Sequence, residues 1–151
     1  MDNLSNKTFA LIYENGKYLY TRWGIWEGEE NGANLILKEE TLASVRYEFH
    51  DIAGIDSEHF IIAATGSQFN TSSTSVVSAC LCTIGENDAI SFGDWITLPF
   101  TISHTFFDMD NVGPSQVVMV FSNADSHGIT AAILRYNSKQ NDIAFGSQKT
   151  I

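Results

Sequence analysis

Three short runs of apolar residues recur along the chain, and each follows a polar turn. The runs are Phe9–Tyr13, Phe60–Ala64 and Val117–Phe121. A bounded run of five β-favouring residues predicts a strand buried on both faces of its sheet, and periodicity alone leaves a buried helical segment as the alternative. The runs begin at residues 9, 60 and 117, which indicates a repeat of roughly 50 residues.

The stretches between the runs repeat in the same order. Each run is followed by two further β-favouring stretches separated by polar turns, and in the second and third repeats another strand precedes the run. These further strands are predicted at Lys17–Trp26, Asn34–Glu40, Val45–Ile52, Ser75–Ile84, Ala89–Leu98, Ile102–Met109, Gly128–Tyr136 and Asp142–Ile151. No long stretch has the 3.6-residue apolar period of a helix. The pattern predicts an all-β fold of antiparallel strands in three units, approximately residues 2–42, 45–98 and 102–151.

The number of strands bears on the architecture. Four strands in a unit of about 50 residues is the period of a β-propeller blade. No strand is predicted before Phe9, so the chain has eleven strands, or about 2.75 blades. A closed propeller typically needs four to eight four-stranded blades, and neither two nor three copies of eleven strands give a multiple of four. The sequence therefore predicts an incomplete ring, in which residues 1–151 are one segment of a longer polypeptide.

Two segments of the second unit resemble a known family. Asp56–Ala64 joins an Asp-Ser turn to an apolar strand, and Ala89–Asp94 contains an Ile-Ser-Phe-Gly sequence that returns in the third unit as Ile143–Gly146. These segments resemble the uncharacterised β-propeller repeats of large secreted or surface proteins of microbes and algae. The first unit departs from that pattern, with Leu37-Lys38 in place of Phe-Gly. The resemblance implies a blade fold and an extracellular or cell-surface location, and it carries no known active site.

Composition and charge narrow the classes of partner. The chain has 8 basic and 18 acidic residues, for a formal net charge of −10. Nucleic acids and anionic membrane surfaces are bound by basic patches, so neither is predicted as a partner. No apolar stretch is long enough to insert into a bilayer. The predicted partners are other protein chains or the rest of a longer polypeptide, with glycans as a further class.

The chain contains no motif for a nucleophile, a phosphate loop or a metal site, and it is predicted to be a non-enzyme without cofactor or metal. Asp108–Asn111 has the alternating oxygen ligands of a calcium loop, but Val112 stands where the next ligand is needed. Asp51 and Asp108 stand at the same position in their repeats. Each is interpreted as a structural residue that hydrogen-bonds to the turn that follows it.

The two cysteines, Cys80 and Cys82, fall within one predicted strand. Residues two apart on a strand point to the same face, and a disulfide between such neighbours has poor geometry. They are therefore predicted to be buried free thiols.

Two sets of residues are candidates for contacts with other molecules. The first is a group of aromatic residues in the first unit, which could pack between blades or form an exposed platform for a sugar or a protein: Tyr18, Tyr20, Trp23 and Trp26. The second is the set of asparagines that begin an Asn-X-Ser/Thr glycan acceptor: Asn3, Asn6 and Asn70.

The expected function is that of a non-enzymatic structural or protein-interaction module in an extracellular or surface assembly. One alternative is a carbohydrate-binding propeller that uses the aromatic residues. A second alternative is a glycosidase-like propeller enzyme, which would need a pair of carboxylates flanking the scissile bond.

Overall fold

The computed structural model describes residues 1–4, 7–16, 18–27, 34–45, 49–65, 75–125 and 128–150. Within these residues the fold is all-β with antiparallel sheets and no helix, which confirms the predicted class. No helix in the described part of the chain is long and apolar enough to cross a membrane. The strands are β1 (Asp2–Asn3), β2 (Thr8–Asn15), β3 (Tyr18–Glu27), β4 (Asn34–Leu37), β5 (Thr41–Val45), β6 (Phe49–Gly54), β7 (His59–Thr65), β8 (Ser75–Ile84), β9 (Ile90–Phe92), β10 (Ile96–Gly113), β11 (Gln116–Asn123), β12 (Ile129–Asn137) and β13 (Asp142–Thr150).

The strands pair in three successive antiparallel units. In unit 1, β1, β2 and β3 are neighbours, and β4 and β5 both pair with β3. In unit 2, β6, β7 and β8 are neighbours, and β8 pairs with β9 and with the first part of β10. In unit 3, the second part of β10 pairs with β11, which is followed by β12 and β13. Because β10 belongs to both units, units 2 and 3 form one eight-stranded sheet, whereas unit 1 is a separate five-stranded sheet.

The fourth strand of each unit departs from regular pairing at the same place, as a break in units 1 and 2 and as a register shift in unit 3. In unit 1 the interruption separates β4 from β5, and the Lys38 amide donates to the Trp23 carbonyl at 3.0 Å. In unit 2 it separates β9 from β10, and the Gly93 amide donates to the Leu81 carbonyl at 2.9 Å. In unit 3 the register of β12 and β13 shifts beside Ile133. The predicted threefold repeat is therefore present in the hydrogen bonding as well as in the sequence.

Three predicted details of the strand pattern were wrong. Asp2 pairs with Ala10, so unit 1 does have a first strand, and the described residues form three sets of four strand positions rather than the expected 2.75 sets. Unit 1 extends to Val45, because the 41–45 stretch pairs with β3. No loop separates Leu98 from Ile102, because both lie within β10.

The core lies in two layers, one on each face of unit 2. Alternate residues of β7 enter different layers, so that Ile61 faces unit 3 and Ile62 faces unit 1. Every residue of β7 from Phe60 to Thr65 is buried, which confirms the prediction of a strand covered on both faces. Sheets packed on both sides explain this burial, since a sheet with one solvated face shows alternating exposure.

The corresponding runs in units 1 and 3 are not buried on both faces along their whole length, so that prediction was wrong for them. In β11, buried and more exposed residues alternate from Val117 to Phe121. In β2, Phe9 and Ala10 are buried, and Leu11 to Tyr13 are half-buried. The physical reason is position, because units 1 and 3 each pack against unit 2 on one side only.

Candidate interaction surfaces

One face of unit 1 points away from unit 2 and is rich in aromatic and aliphatic side chains. Residues directly opposite each other on paired strands share a face, and this rule groups Tyr13 with Tyr20 and Leu35 with Trp26. The outer face of unit 1 is defined here as Leu11, Tyr13, Tyr18, Tyr20, Arg22, Trp26, Leu35, Leu37 and Leu42. Tyr18 is 46% exposed and Trp26 is 50% exposed.

The tyrosines of the outer face of unit 1 form a small aromatic cluster. The rings of Tyr13 and Tyr20 stack with centroids 5.9 Å apart, and Tyr18 meets Tyr20 edge-on at 6.4 Å. The Tyr13 hydroxyl donates to the Glu40 carboxylate, and this hydrogen bond is the main reason that the pKa of Tyr13 is raised. A guanidinium nitrogen of Arg22 lies 3.9 Å from the same carboxylate. The cluster thus presents ring faces beside an anchored ion pair.

Trp23 lies on the opposite side of β3 from the other predicted contact aromatics. It is 6% exposed and belongs to the core layer between units 1 and 2. Its indole nitrogen donates to the Asp88 carbonyl at 2.8 Å, and the Lys38 ammonium lies 5.3 Å from the ring centroid. The same ammonium is 2.7 Å from a carboxylate oxygen of Asp88. The structure therefore brings Tyr18, Tyr20 and Trp26 to one exposed face and places Trp23 at the boundary between two units.

The outer face of unit 3 is also apolar and open. It is defined here as Val118, Val120, Ile129, Ala131 and Ile133, which occupy alternate positions of β11 and β12. Val120 is 40% exposed and Ile129 is 56% exposed. No prediction identified this face, because the run from Val117 to Phe121 was expected to be covered on both sides.

A polar network connects unit 2 to unit 3. The Asp56 carboxylate accepts from the backbone amides of Glu58 and His59 at 2.9 Å, which fixes the turn before β7. A carboxylate oxygen of Asp56 lies 2.8 Å from His59 Nδ1, and His59 Nε2 lies 3.1 Å from the Tyr136 hydroxyl. The side-chain oxygen of Asn141 lies 3.2 Å from the same hydroxyl. Because a carboxylate only accepts, the Nδ1 nitrogen of His59 carries a proton.

The network has the hydrogen bonds of a relay, but its hydroxyl group is not activated. Burial, with Asp56 and Glu58 nearby, raises the pKa of Tyr136, so its phenol stays protonated at neutral pH. The rings of His59 and Tyr136 also contact each other, with centroids 4.8 Å apart. The network therefore acts as a polar link between two units. Sequence reasoning missed it, since its two rings are 77 residues apart and nothing local pairs them.

Asp51 links the first strands of two units. Its carboxylate accepts a hydrogen bond from the Met109 amide in unit 3. The prediction that Asp51 bonds to the turn that follows it therefore named the wrong partner. Burial raises the pKa of Asp51. Asp108, the equivalent residue of unit 3, is exposed. Within the described ranges, no group of three or more His, Cys, Asp or Glu side chains could hold a metal ion.

Cys80 and Cys82 are buried and unpaired by a disulfide, on the face of unit 2 that meets unit 1. The Cys80 thiol donates to the Gly93 carbonyl at 3.2 Å. Burial raises the pKa of Cys82 well above its usual value, whereas a hydrogen bond with Cys82 lowers the pKa of Cys80. Their environment is that of two small core residues.

Clefts open along both boundaries between units. A cleft of about 520 Å³ lies between units 1 and 2, beside Trp23 and Glu58. A cleft of about 410 Å³ lies between units 2 and 3, beside Asp94 and Asn141. Of the predicted glycan acceptors, Asn3 lies in β1, and Asn6 and Asn70 lie outside the described residues.

Comparisons with known proteins give no match, since no family model, no curated protein and no solved structure is similar to this chain.

Proposed function

We propose that this chain is a non-enzymatic structural or protein-interaction module whose three units are blades of a β-propeller. One observation carries the proposal: unit 2 is buried on both faces, and units 1 and 3 expose faces equivalent to those that unit 2 buries. Most exposed large hydrophobic side chains of the described residues lie on these two outer faces. Contiguous apolar surface of this kind typically marks an interaction site.

The contacts between units support the propeller part of the proposal. Each unit provides four antiparallel strand positions, and consecutive units pack face to face. Their first strands are also linked, since Asp51 accepts from the Met109 amide and the Asn111 side chain donates to the Gly54 carbonyl at 2.8 Å. Radial repetition of four-stranded sheets is the arrangement of propeller blades.

The proposal includes the setting of the module. The resemblance to secreted and surface repeats favours an extracellular or cell-surface location. The net charge of −10 favours neither a nucleic acid nor an anionic membrane as partner. The proposed partners are therefore other protein chains or the rest of a longer polypeptide, and their contacts would be made through the outer faces.

Radical footprinting of the native protein tests the proposal, with two tryptophans of the same chain as a matched pair. In the chain itself Trp26 is 50% exposed and Trp23 is 6% exposed. If the outer face of unit 1 is covered in the native assembly, Trp26 will be oxidised about as slowly as Trp23. Phe49, which is 39% exposed and lies on neither outer face, should keep its reactivity. Oxidation of Trp26 several-fold faster than that of Trp23 in the native assembly would overturn the proposal.

A second candidate function is carbohydrate binding on the outer face of unit 1. The observation that favours it is that Tyr18, Tyr20 and Trp26 lie along one face of β3, where Tyr18 and Trp26 are exposed, because sugars stack on aromatic faces. Glycan-array binding that is lost in Trp26→Ala and kept in Phe49→Ala would support it. An array on which the wild type binds nothing would reject it. Trp23→Ala is unsuitable as a test, since it would remove a core side chain.

A further inference from the structure

The repeat defines which surface an outer face should meet. Strand register makes Val118 and Ile133 of unit 3 equivalent to Ile61 and Leu81 of unit 2, because both pairs are direct partners on the second and third strands. The face of unit 2 that contains Ile61 and Leu81 is packed against unit 3. The outer face of unit 3 thus has the residue pattern of a surface that is covered elsewhere in the same chain.

The surface that covers unit 2 is known, and unit 1 carries its equivalent. Unit 3 meets unit 2 with Val117, Met119 and Phe121, on the buried side of β11. The equivalent positions of β2, counted from the start of each apolar run, are Phe9, Leu11 and Tyr13. Leu11 and Tyr13 belong to the outer face of unit 1. A single copy of the chain therefore carries both halves of one contact, at opposite ends of its stack of units.

Side chains at the edges of the outer faces fit the same contact. Asp51 binds the first strand of the next unit, and its equivalent Asp108 is exposed on unit 3. Gly24 of unit 1 and Leu134 of unit 3 are equivalent positions on the third strands, and Trp26 and Tyr136 each lie two residues beyond them. Tyr136 contacts His59 of the preceding unit. The exposed side chains of the two outer faces thus occupy positions that make contacts between units elsewhere in the chain.

We propose that a second copy of this chain occupies both outer faces, head to tail, and that two copies close a ring of six units. The proposal rests on the propeller arrangement proposed above. With β1 included, the described residues of each copy form three sets of four strand positions, so two copies provide six sets. Six units lie within the usual range of about four to eight blades, whereas three copies would give nine. Head-to-tail contacts close into rings when the rotation between copies allows it.

Native mass spectrometry and light scattering test the stoichiometry. At about 100 µM protein, even a single contact with a Kd near 1 µM is largely formed. The wild type is expected at twice the 16.7 kDa of the single chain. Val120→Lys blocks the outer face of unit 3, and Trp26→Lys blocks that of unit 1. Both side chains are exposed in the single chain, at 40% and 50%, so both variants should fold. Each variant alone should be monomeric, while Phe49→Lys, on neither outer face, should stay dimeric.

Mixing the two blocked variants tests the direction of the contact. One intact pair of faces remains in the mixture, so Val120→Lys and Trp26→Lys together should form a dimer. Its affinity should be about 100-fold or more below that of the wild type, which makes two contacts at once. A contact between identical faces would give no such complementation, so a mixture that stays monomeric overturns the proposal. Dimers of both single variants would also overturn it.

A monomeric wild type would reject the second copy as the occupant without rejecting the proposed function. In that case a Trp26 that is protected in the native protein assigns the outer faces to further units of a longer polypeptide or to another protein. If the wild type is monomeric and Trp26 is also reactive in the native protein, both proposals fail.

Discussion

Truncating a side chain in unit 2 should cost more unfolding free energy than truncating a larger side chain at the equivalent position of unit 3. Val77 is 0% exposed in the core layer between units 2 and 3, and Ile129, its equivalent on the outer face of unit 3, is 56% exposed. Val77→Ala removes two carbons and Ile129→Ala removes three. We nevertheless expect the smaller truncation to destabilise the fold more, because only Val77 is surrounded by packed side chains.

The magnitudes follow from burial. Two fully buried carbons contribute about 1.6 kcal/mol at ~0.8 kcal/mol each, and the cavity that they leave raises the cost of Val77→Ala to about 2–3 kcal/mol. Three carbons that are less than half buried, at a site that water can refill, give about 1 kcal/mol for Ile129→Ala. The two costs differ by a factor of about two to three.

Urea unfolding measures both variants. With an m-value of about 2 kcal/mol per molar urea, the midpoint should fall by about 1–1.5 M for Val77→Ala and by about 0.5 M for Ile129→Ala. Both should be made in the Trp26→Lys background, which keeps the outer face of unit 3 free of a second copy. Equal shifts, or a larger shift for Ile129→Ala, would refute the assignment of unit 2 as the covered unit.

Three further predictions concern polar groups and thiols. Burial lowers the pKa of His50 below its unfolded value of about 6.5. Because the unfolded chain therefore binds the proton first, the free energy of unfolding falls as the pH drops from 7.5 to 5.5. The variant His50→Gln should lose less unfolding free energy over this pH range than the wild type. Tyr136→Phe removes the hydroxyl that links His59 to Asn141 and should cost about 1 kcal/mol in urea unfolding. Cys80 and Cys82 should not react with Ellman's reagent until the chain unfolds, because both are buried.

Each of these has its own control. For His50, both proteins are compared over the same pH range, and an unchanged pH slope in His50→Gln would contradict the assignment. For Tyr136, Tyr18→Phe on the exposed outer face of unit 1 should cost under about 0.5 kcal/mol, and equal costs would remove the special role of the network. For the thiols, the denatured chain should react with two equivalents of Ellman's reagent. Immediate reaction of the native chain would show that units 1 and 2 open readily.

The sequence predicted the strands well where apolar residues and turn residues both marked their limits. The bounds of β8 were predicted correctly, because a Ser/Thr-rich stretch precedes it and Gly85–Asp88 follows. The strand end predicted at Leu98 was wrong, because the next residue is a proline and prolines often lie where strands end. In the structure Pro99 lies where the register between β10 and β8 shifts, a position at which its missing amide costs no ladder hydrogen bond. Two residues of β1 give no periodicity to detect.

The candidate surfaces were predictable only in part, and the reason is the same in each case. Alternation along β3 places Trp23 and Trp26 on opposite faces, because they are three residues apart. Which of the two faces is covered depends on the neighbouring unit, and no local pattern contains that information. The contact of His59 with Tyr136 likewise exists only because β7 and β12 belong to units that stack.

The continuity of β10 sets an order in which the molecule can open. An 18-residue strand that pairs with β8 at one end and with β11 at the other fastens units 2 and 3 along a single backbone, so neither can melt while the other keeps all its hydrogen bonds. Among the residues that the structure describes, no shared strand joins unit 1 to unit 2, and unit 1 is attached by side-chain packing and a few polar contacts. The chain should therefore open in two steps. Amides of β2 and β3 should exchange through a cheaper, partial opening, and those of β8, β10 and β11 only when units 2 and 3 unfold together.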